Sequence, residues 1–162
     1  MSSFSRRFVL LAPVALAACG FTPVYAPGGA GDALRGQVLI KAPEDRDTFL
    51  LVRDLEQRLG RSAAPRYGLD LVIDVTSEGL AVTAGGDITR NNLVGKAKFA
   101  LRDLETGTTL HEGTVDNFTG YSATGSTVET LAAERDARAR LMTILADQIT
   151  TQVYATNPTA GT

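Results

Sequence analysis

Cysteine, histidine and tryptophan are nearly or wholly missing from this chain: among 162 residues there is one Cys, one His and no Trp. A single thiol rules out an intrachain disulfide, and a single imidazole rules out a multi-histidine metal site. Aromatic residues make up only 6%, so any core is aliphatic and modest. Positive charge is not in excess, because sixteen Lys and Arg face eighteen Asp and Glu for a formal net charge of -2. That removes the counterion-release signature of a nucleic-acid binder. Reagents for catalysis are equally scarce. Gly85-Gly86 lacks the lysine and spacing of a phosphate loop, and there is no G-x-S-x-G around a serine. His111 lies beside Glu112 in a strand pattern, where a surface pair or a cross-strand contact is the ordinary outcome, and no second His or Cys completes a triad. The sequence therefore predicts no enzyme, no cofactor and no metal.

Long hydrophobic runs are also lacking. The longest, Phe8 to Ala18 after Arg6-Arg7, falls well short of the about 20 apolar residues that span a bilayer. A charged start, a short apolar run and small residues before a break have the layout of a secretory signal. An ordinary cleavage site around Ala15-Leu16-Ala17 would leave Cys19 as an incidental neighbour. Leu16-Ala17-Ala18-Cys19-Gly20, however, resembles the lipobox of bacterial lipoproteins, in which cysteine becomes the new N-terminus and takes a diacylglyceryl thioether. Residues 1–18 are thus expected to be removed, Cys19 to be the lipidation site, and the membrane to be reached through that N-terminal lipid. Two or more acyl chains give stable anchoring where one gives marginal binding. Loss of Arg6 and Arg7 leaves fourteen bases against eighteen acids, a mildly acidic domain of -4. By resemblance to Gram-negative lipoproteins, Gly20 rather than aspartate after the cysteine favours the outer membrane.

Residues 19–36, rich in Pro and Gly, read as a flexible linker. The folded domain is expected over 37–154. Gln37 to Ile40 reads as a short strand closed by Pro43. Phe49, Leu51, Val52, Leu55 and Leu59 recur at helical spacing, with Asp45 or Asp47 to cap the start and Gly60 to end it. Tyr67, Leu69, Leu71, Ile73 and Val75 alternate with polar or small residues, continuing through Leu80 and Val82. After a turn at Gly85-Gly86-Asp87, Leu93 to Arg102 alternate again. Glu105 to Thr108 form a tight turn, and Thr109 to Tyr121 make a further strand, with Gly113 disturbing the alternation as a bulge would. Ser126 to Glu129 matches a capping box. From there to Tyr154 no Gly or Pro interrupts a stripe of Leu131, Leu141, Ile144, Leu145, Ile149 and Val153, a long final helix. Residues 155–162 have nothing to bury and read as a disordered tail. The order predicts an α+β fold: a two-layer sandwich with two helices packed on one face of a four-stranded, mostly antiparallel sheet.

The lipobox followed by Cys19-Gly20-Phe21-Thr22-Pro23-Val24-Tyr25, the element order, and the segments Ala133 to Leu141 and Leu145 to Ile149 together resemble the LptE family of lipopolysaccharide-assembly lipoproteins. The resemblance implies an outer-membrane lipoprotein on the periplasmic side that plugs the LptD-type β-barrel, assists its assembly and binds lipopolysaccharide during delivery to the outer leaflet. The same two-helix, four-stranded fold is implied.

A lipopolysaccharide-binding face needs cations for phosphate. The candidates are Arg90, placed in the turn between the two long strands, and Lys96 and Lys98, on the strand face opposite Gly95, Ala97, Phe99 and Leu101, with Arg102 extending the row. In the family, basic residues of a strand-connecting loop are implicated in binding, which singles out Arg90. The plain alternative is that Lys96, Lys98 and Arg102 only solvate an amphipathic strand. Thr119 to Thr130 is a segment that could offer polar groups to a barrel interior, or be a simple connection. Ala137 to Arg140 reads as a solvated charged helix face. A second functional reading is an envelope lipoprotein that binds lipid or protein without a translocon role.

Overall fold

The computed structural model describes residues 29–82 and 88–156. The lipobox, Cys19, the Gly85-Gly86-Asp87 turn and residues 157–162 lie outside the described residues. In chain order the elements are α1 (Ala30–Leu34), β1 (Val38–Ile40), α2 (Arg46–Leu59), β2 (Tyr67–Val82), β3 (Ile88–Asp103), β4 (Thr109–Ser122) and α3 (Thr127–Ala155).

The two long helices, α2 and α3, start where side chains satisfy orphan amides, whereas α1 follows Gly29 without a side-chain cap. Asp45 accepts from the Thr48 amide at 2.7 Å while Thr48 Oγ1 accepts from the Asp45 amide at 2.9 Å. Ser126 and Glu129 form the expected reciprocal box, with the Ser126 amide donating to Glu129 Oε2 at 2.7 Å. Gly60 ends α2 at φ +78°, a backbone region costly for other residues.

The strands make one sheet in the order β1-β2-β3-β4. β1 pairs parallel to β2 over Val38 to Ile40, which requires a crossover, and α2 supplies it. The other pairs are antiparallel. Side chains at odd positions of β2, β3 and β4 face the helices. Leu69, Leu71, Leu93, Ala97, Phe99, Leu101 and Val115 are buried there against Leu51, Leu55 and Leu59 of α2 and Leu141, Leu145 and Ile149 of α3. Burying each such leucine stabilises by about 2 kcal/mol, and this aliphatic layer is the single core. The α+β sandwich expected from periodicity is the fold observed.

Four local expectations differ. The linker does not run to Gly36: α1 follows Gly29, Leu34 is fully buried, and the Gly36 amide donates to the Leu59 carbonyl at 2.7 Å. A glycine-rich composition concealed one anchoring leucine. The bulge of β4 is not at Gly113, which pairs regularly with Phe99. The register instead slips between Leu101↔His111 and Arg102↔Thr109, leaving Leu110 as the extra residue. Gly113 is small for another reason: a Cβ there would stand 2.5 Å from both the Phe99 ring and Gln152 Oε1. Phe49 and Leu131 are 56% and 47% exposed: Phe49 lies off the arc of α2 that carries the buried Leu51, Val52, Leu55 and Leu59, and the first turn of α3 reaches past the core. Finally, α3 continues through Ala155, one residue into the expected tail.

Candidate functional site

The helices cover one face of the sheet, and the other face is open among the described residues. Alternation puts Arg90, Asn92, Val94, Lys96, Lys98, Ala100 and Arg102 of β3 along its centre. Lys96 and Lys98 are exposed there, on the face expected. Their surroundings were not legible from β3 alone. Lys96 lies directly between Asp74 of β2 and Asp116 of β4, and Lys98 between Val72 and Thr114. The next outward-facing residues diagonal to Lys98 are Asp70, Asp74, Glu112 and Asp116, within reach of long side chains. Arg102 is paired with Asp70 at 3.1 Å. A basic middle strand is therefore flanked by two acidic ones. A shallow depression of about 640 Å³ lies here, bordered by Asp70, Val72, Lys98, Arg102, Glu112 and Thr114. Its mixed charge leaves little net field for an anion.

Arg90 differs. The structure places it inside β3 rather than in the turn, opposite Ser122 and Ala81, and exposed. No carboxylate stands directly opposite it on either neighbouring strand, and Glu78, opposite Asn92, is its one diagonal acid among the described residues. Its guanidinium lies beside Gly120, where a Cβ would be 3.7 Å from the Arg90 Nε. A second depression of about 420 Å³ is lined by Thr89, Arg90, Gly120, Tyr121, Ser122 and Thr124. The Ser122 and Thr124 hydroxyls are 3.0 Å apart and hydrogen-bonded. One guanidinium with two hydroxyls beside it is suited to a phosphate or a sugar hydroxyl. Arg90, Lys96 and Lys98 share one strand face but do not converge, since Arg90 occupies the end towards the hairpin tip.

His111 packs on the Phe99 ring with centroids 5.6 Å apart, a cross-strand contact, while Glu112 points to the opposite face. The imidazole Nε2 is buried and has no hydrogen-bond partner among the described residues. No group of three metal-binding side chains occurs among the described residues, and none of their helices is long and apolar enough to cross a membrane.

Sequence reasoning missed a polar seam between the helices. Asp54 of α2 is only 4% exposed. It accepts from Thr143 Oγ1 at 2.6 Å and from Arg53 Nε at 2.9 Å. Arg58 binds Asp147 at 2.7 Å, and Arg138 binds Asp47 at 2.6 Å and Glu134 at 2.9 Å. Partners rise together along both helices, so α2 and α3 run in the same direction. The Ala137 to Arg140 face is thus not merely solvated: Ala137 is fully buried, and Arg140, paired with Asp136, also donates to the Gly120 carbonyl at 3.3 Å. Thr119 is buried too, its hydroxyl donating to the Ala137 carbonyl at 2.9 Å, so it offers nothing to an outside surface. The i, i+3 and i, i+4 spacing of charged residues on both helices was the signal available for this seam.

A family model described as LptE, lipopolysaccharide-assembly, matches residues 36–153 of this chain. No curated protein matches it in sequence. Among solved structures, a lipoprotein of Caulobacter crescentus superposes with a TM-score of 0.67 at 20% identity, covering 82% of this chain and 97% of its own. Rare lipoprotein B of Shewanella oneidensis gives 0.60 at 12% identity, covering 78% and 98%. A minor lipoprotein of Acinetobacter baumannii gives 0.53 at 20% identity, covering 73% and 88%. At such identities the likeness is one of fold. The family match spans the whole sheet and both long helices, and the chain belongs to the LptE family of lipopolysaccharide-assembly proteins.

Proposed function

We propose that this protein is an outer-membrane lipoprotein, held at the periplasmic face by lipid on Cys19, that plugs an LptD-type β-barrel, assists its assembly and binds lipopolysaccharide during delivery to the outer leaflet. Its work is binding and organising, without catalysis. Family membership over residues 36–153 carries the reading. The polar open face supports it, because a plug must offer hydrophilic groups to a wet barrel interior, and Arg90 supplies a cation without an opposing carboxylate.

The decisive experiment is gentle-detergent purification from outer membranes, with an equal amount of a large β-barrel protein expected to accompany the lipoprotein. Recovery of the lipoprotein alone would refute the translocon role and leave an envelope binding module. Mass spectrometry of the mature protein should find lipid on Cys19, and a different N-terminus would remove the anchor.

For the glycolipid site, Arg90→Ala should weaken lipopolysaccharide binding about tenfold, as expected for loss of charge-assisted hydrogen bonds. Lys96→Ala should change it far less, because Asp74 and Asp116 already offset that charge. Equal losses from both variants would show that the face binds as a diffuse cationic surface.

A further inference from the structure

The two outer strands of this sheet are finished differently. The Ala123 amide bonds the Thr89 carbonyl, so odd residues of β4 bond β3 and even residues turn their amides and carbonyls outward. Two of those outward groups are occupied by the protein itself. The Phe118 amide donates to Asn117 Oδ1 at 2.9 Å, and the Gly120 carbonyl accepts from Arg140.

On β2 the parity is reversed. The Leu69 carbonyl accepts from the Lys41 amide, so odd residues point towards β1. β1 ends at Ile40, opposite Leu69, and the chain then leaves the sheet at Pro43. The outward amides and carbonyls of Leu71, Ile73, Val75 and Ser77 consequently have no backbone partner among the described residues. Leu71 and Ile73 border a cleft of about 140 Å³ against Lys41 to Asp45 and the start of α2. An uncapped, largely apolar edge of this length is a ready template for another strand, and proteins ordinarily blunt such edges.

Charge indicates what fits it. On the open face β2 presents Asp70, Asp74 and Glu78 at alternate outward positions. On its inner side β3 answers with Arg102, 3.1 Å from Asp70, and with Lys96 opposite Asp74. On its outer side Lys41, next in register beyond Ile40, stands beside Asp70 and pairs with Glu44 at 2.9 Å, whereas nothing answers Asp74 and Glu78 there among the described residues. A second copy of the chain would bring the same acids to the seam.

We infer that the β2 edge from Leu71 to Ser77 is a docking site for an extended segment of a partner protein that adds as a further strand and carries Lys or Arg at alternate positions. Main-chain bonds supply the affinity and the alternating cations the selectivity. The site is on the outer edge of β2, whereas Arg90 is on the inner strand β3, and the inference holds whether or not a barrel is the partner.

Amide exchange of the full chain tests it, with a short synthetic peptide alternating lysine and valine as the probe. Exchange at Leu71, Ile73, Val75 and Ser77 should slow by about tenfold or more, and a peptide alternating glutamate and valine should leave it unchanged. Ser77→Pro removes only an outward amide, since Thr76 and Glu78 carry the bonds to β3, so it should abolish protection at Leu71 to Val75 while the β3–β4 amides stay as before. Glu78→Lys should weaken the effect of the lysine peptide. Equal protection by both peptides, protection at Thr114 and Asp116 instead, protection that rises with protein concentration alone, or retention of protection in Ser77→Pro would each overturn the inference.

Discussion

Gly95 shows how one atom governs the contact of helix and sheet. A Cβ there would stand 2.9 Å from Leu141 Cδ2 and 3.1 Å from Leu145 Cδ1, so the absence of a side chain lets α3 settle on β3. Gly95→Ala should lower stability in urea unfolding by about 1–3 kcal/mol, the usual cost of overfilling a packed core. Gly107 is the opposite case, since a Cβ there meets nothing but φ is +72°. Gly107→Ala should cost about 1 kcal/mol through backbone strain alone. Both residues were visible in the sequence as glycines, but not which constraint each meets. The same limit applied to the cations. Their face could be read from alternation, whereas the acids that offset Lys96 and the uncharged residues directly opposite Arg90 come from β2 and β4 by register, which a linear pattern does not specify.

Elements here are held at their ends and along one seam. Hydrogen bonds from the Thr48 backbone and side chain hold Asp45 below the ordinary carboxylate range, and those from Ser126 do the same for Glu129. A carboxyl with a depressed folded pKa contributes stability that is present above its unfolded value. That contribution is lost as pH falls through the folded one. Unfolding followed from pH 7 downward should therefore show a decline that begins at about pH 4–5 and is smaller in Asp45→Ala, which should itself cost about 1 kcal/mol at neutral pH as a lost helix cap. Across the seam, Asp54→Ala leaves the Thr143 hydroxyl and Arg53 without their shared acceptor. About 1–3 kcal/mol should be lost in thermal or urea unfolding, with helical circular dichroism retained at low temperature. The long elements and both capping boxes were legible because period and cap chemistry are local. Leu34, the Leu110 bulge and the exposed Leu131 were not, since each depends on where a neighbouring element stops.

At the scale of the whole molecule, the helices back only part of the sheet. Core burial ends at Leu93 on β3 and fades beyond Val75 on β2, and Thr76 to Leu80 are exposed. The far part of the β2–β3 hairpin thus depends on cross-strand bonds, and its amides should exchange orders of magnitude faster than those of Ala97, Phe99 and Leu101. Uniform protection along β3 would contradict that division. The fold class was legible because helix and strand periods alternate in a way that allows few layer arrangements. Which face stays bare was legible only as polarity, not as the paired charges that the register creates.

The length of that hairpin has a consequence for position. The first strand, β1, begins beside Tyr67, and Arg90 lies past Gly79 at the other end. From Tyr67 to Gly79 the strand covers about 40 Å at roughly 3.3 Å per residue, more than the ~30 Å hydrocarbon thickness of a bilayer. The sheet is in this sense a ruler: it keeps Arg90 farther from the first strand of the fold than a bilayer's hydrocarbon is thick.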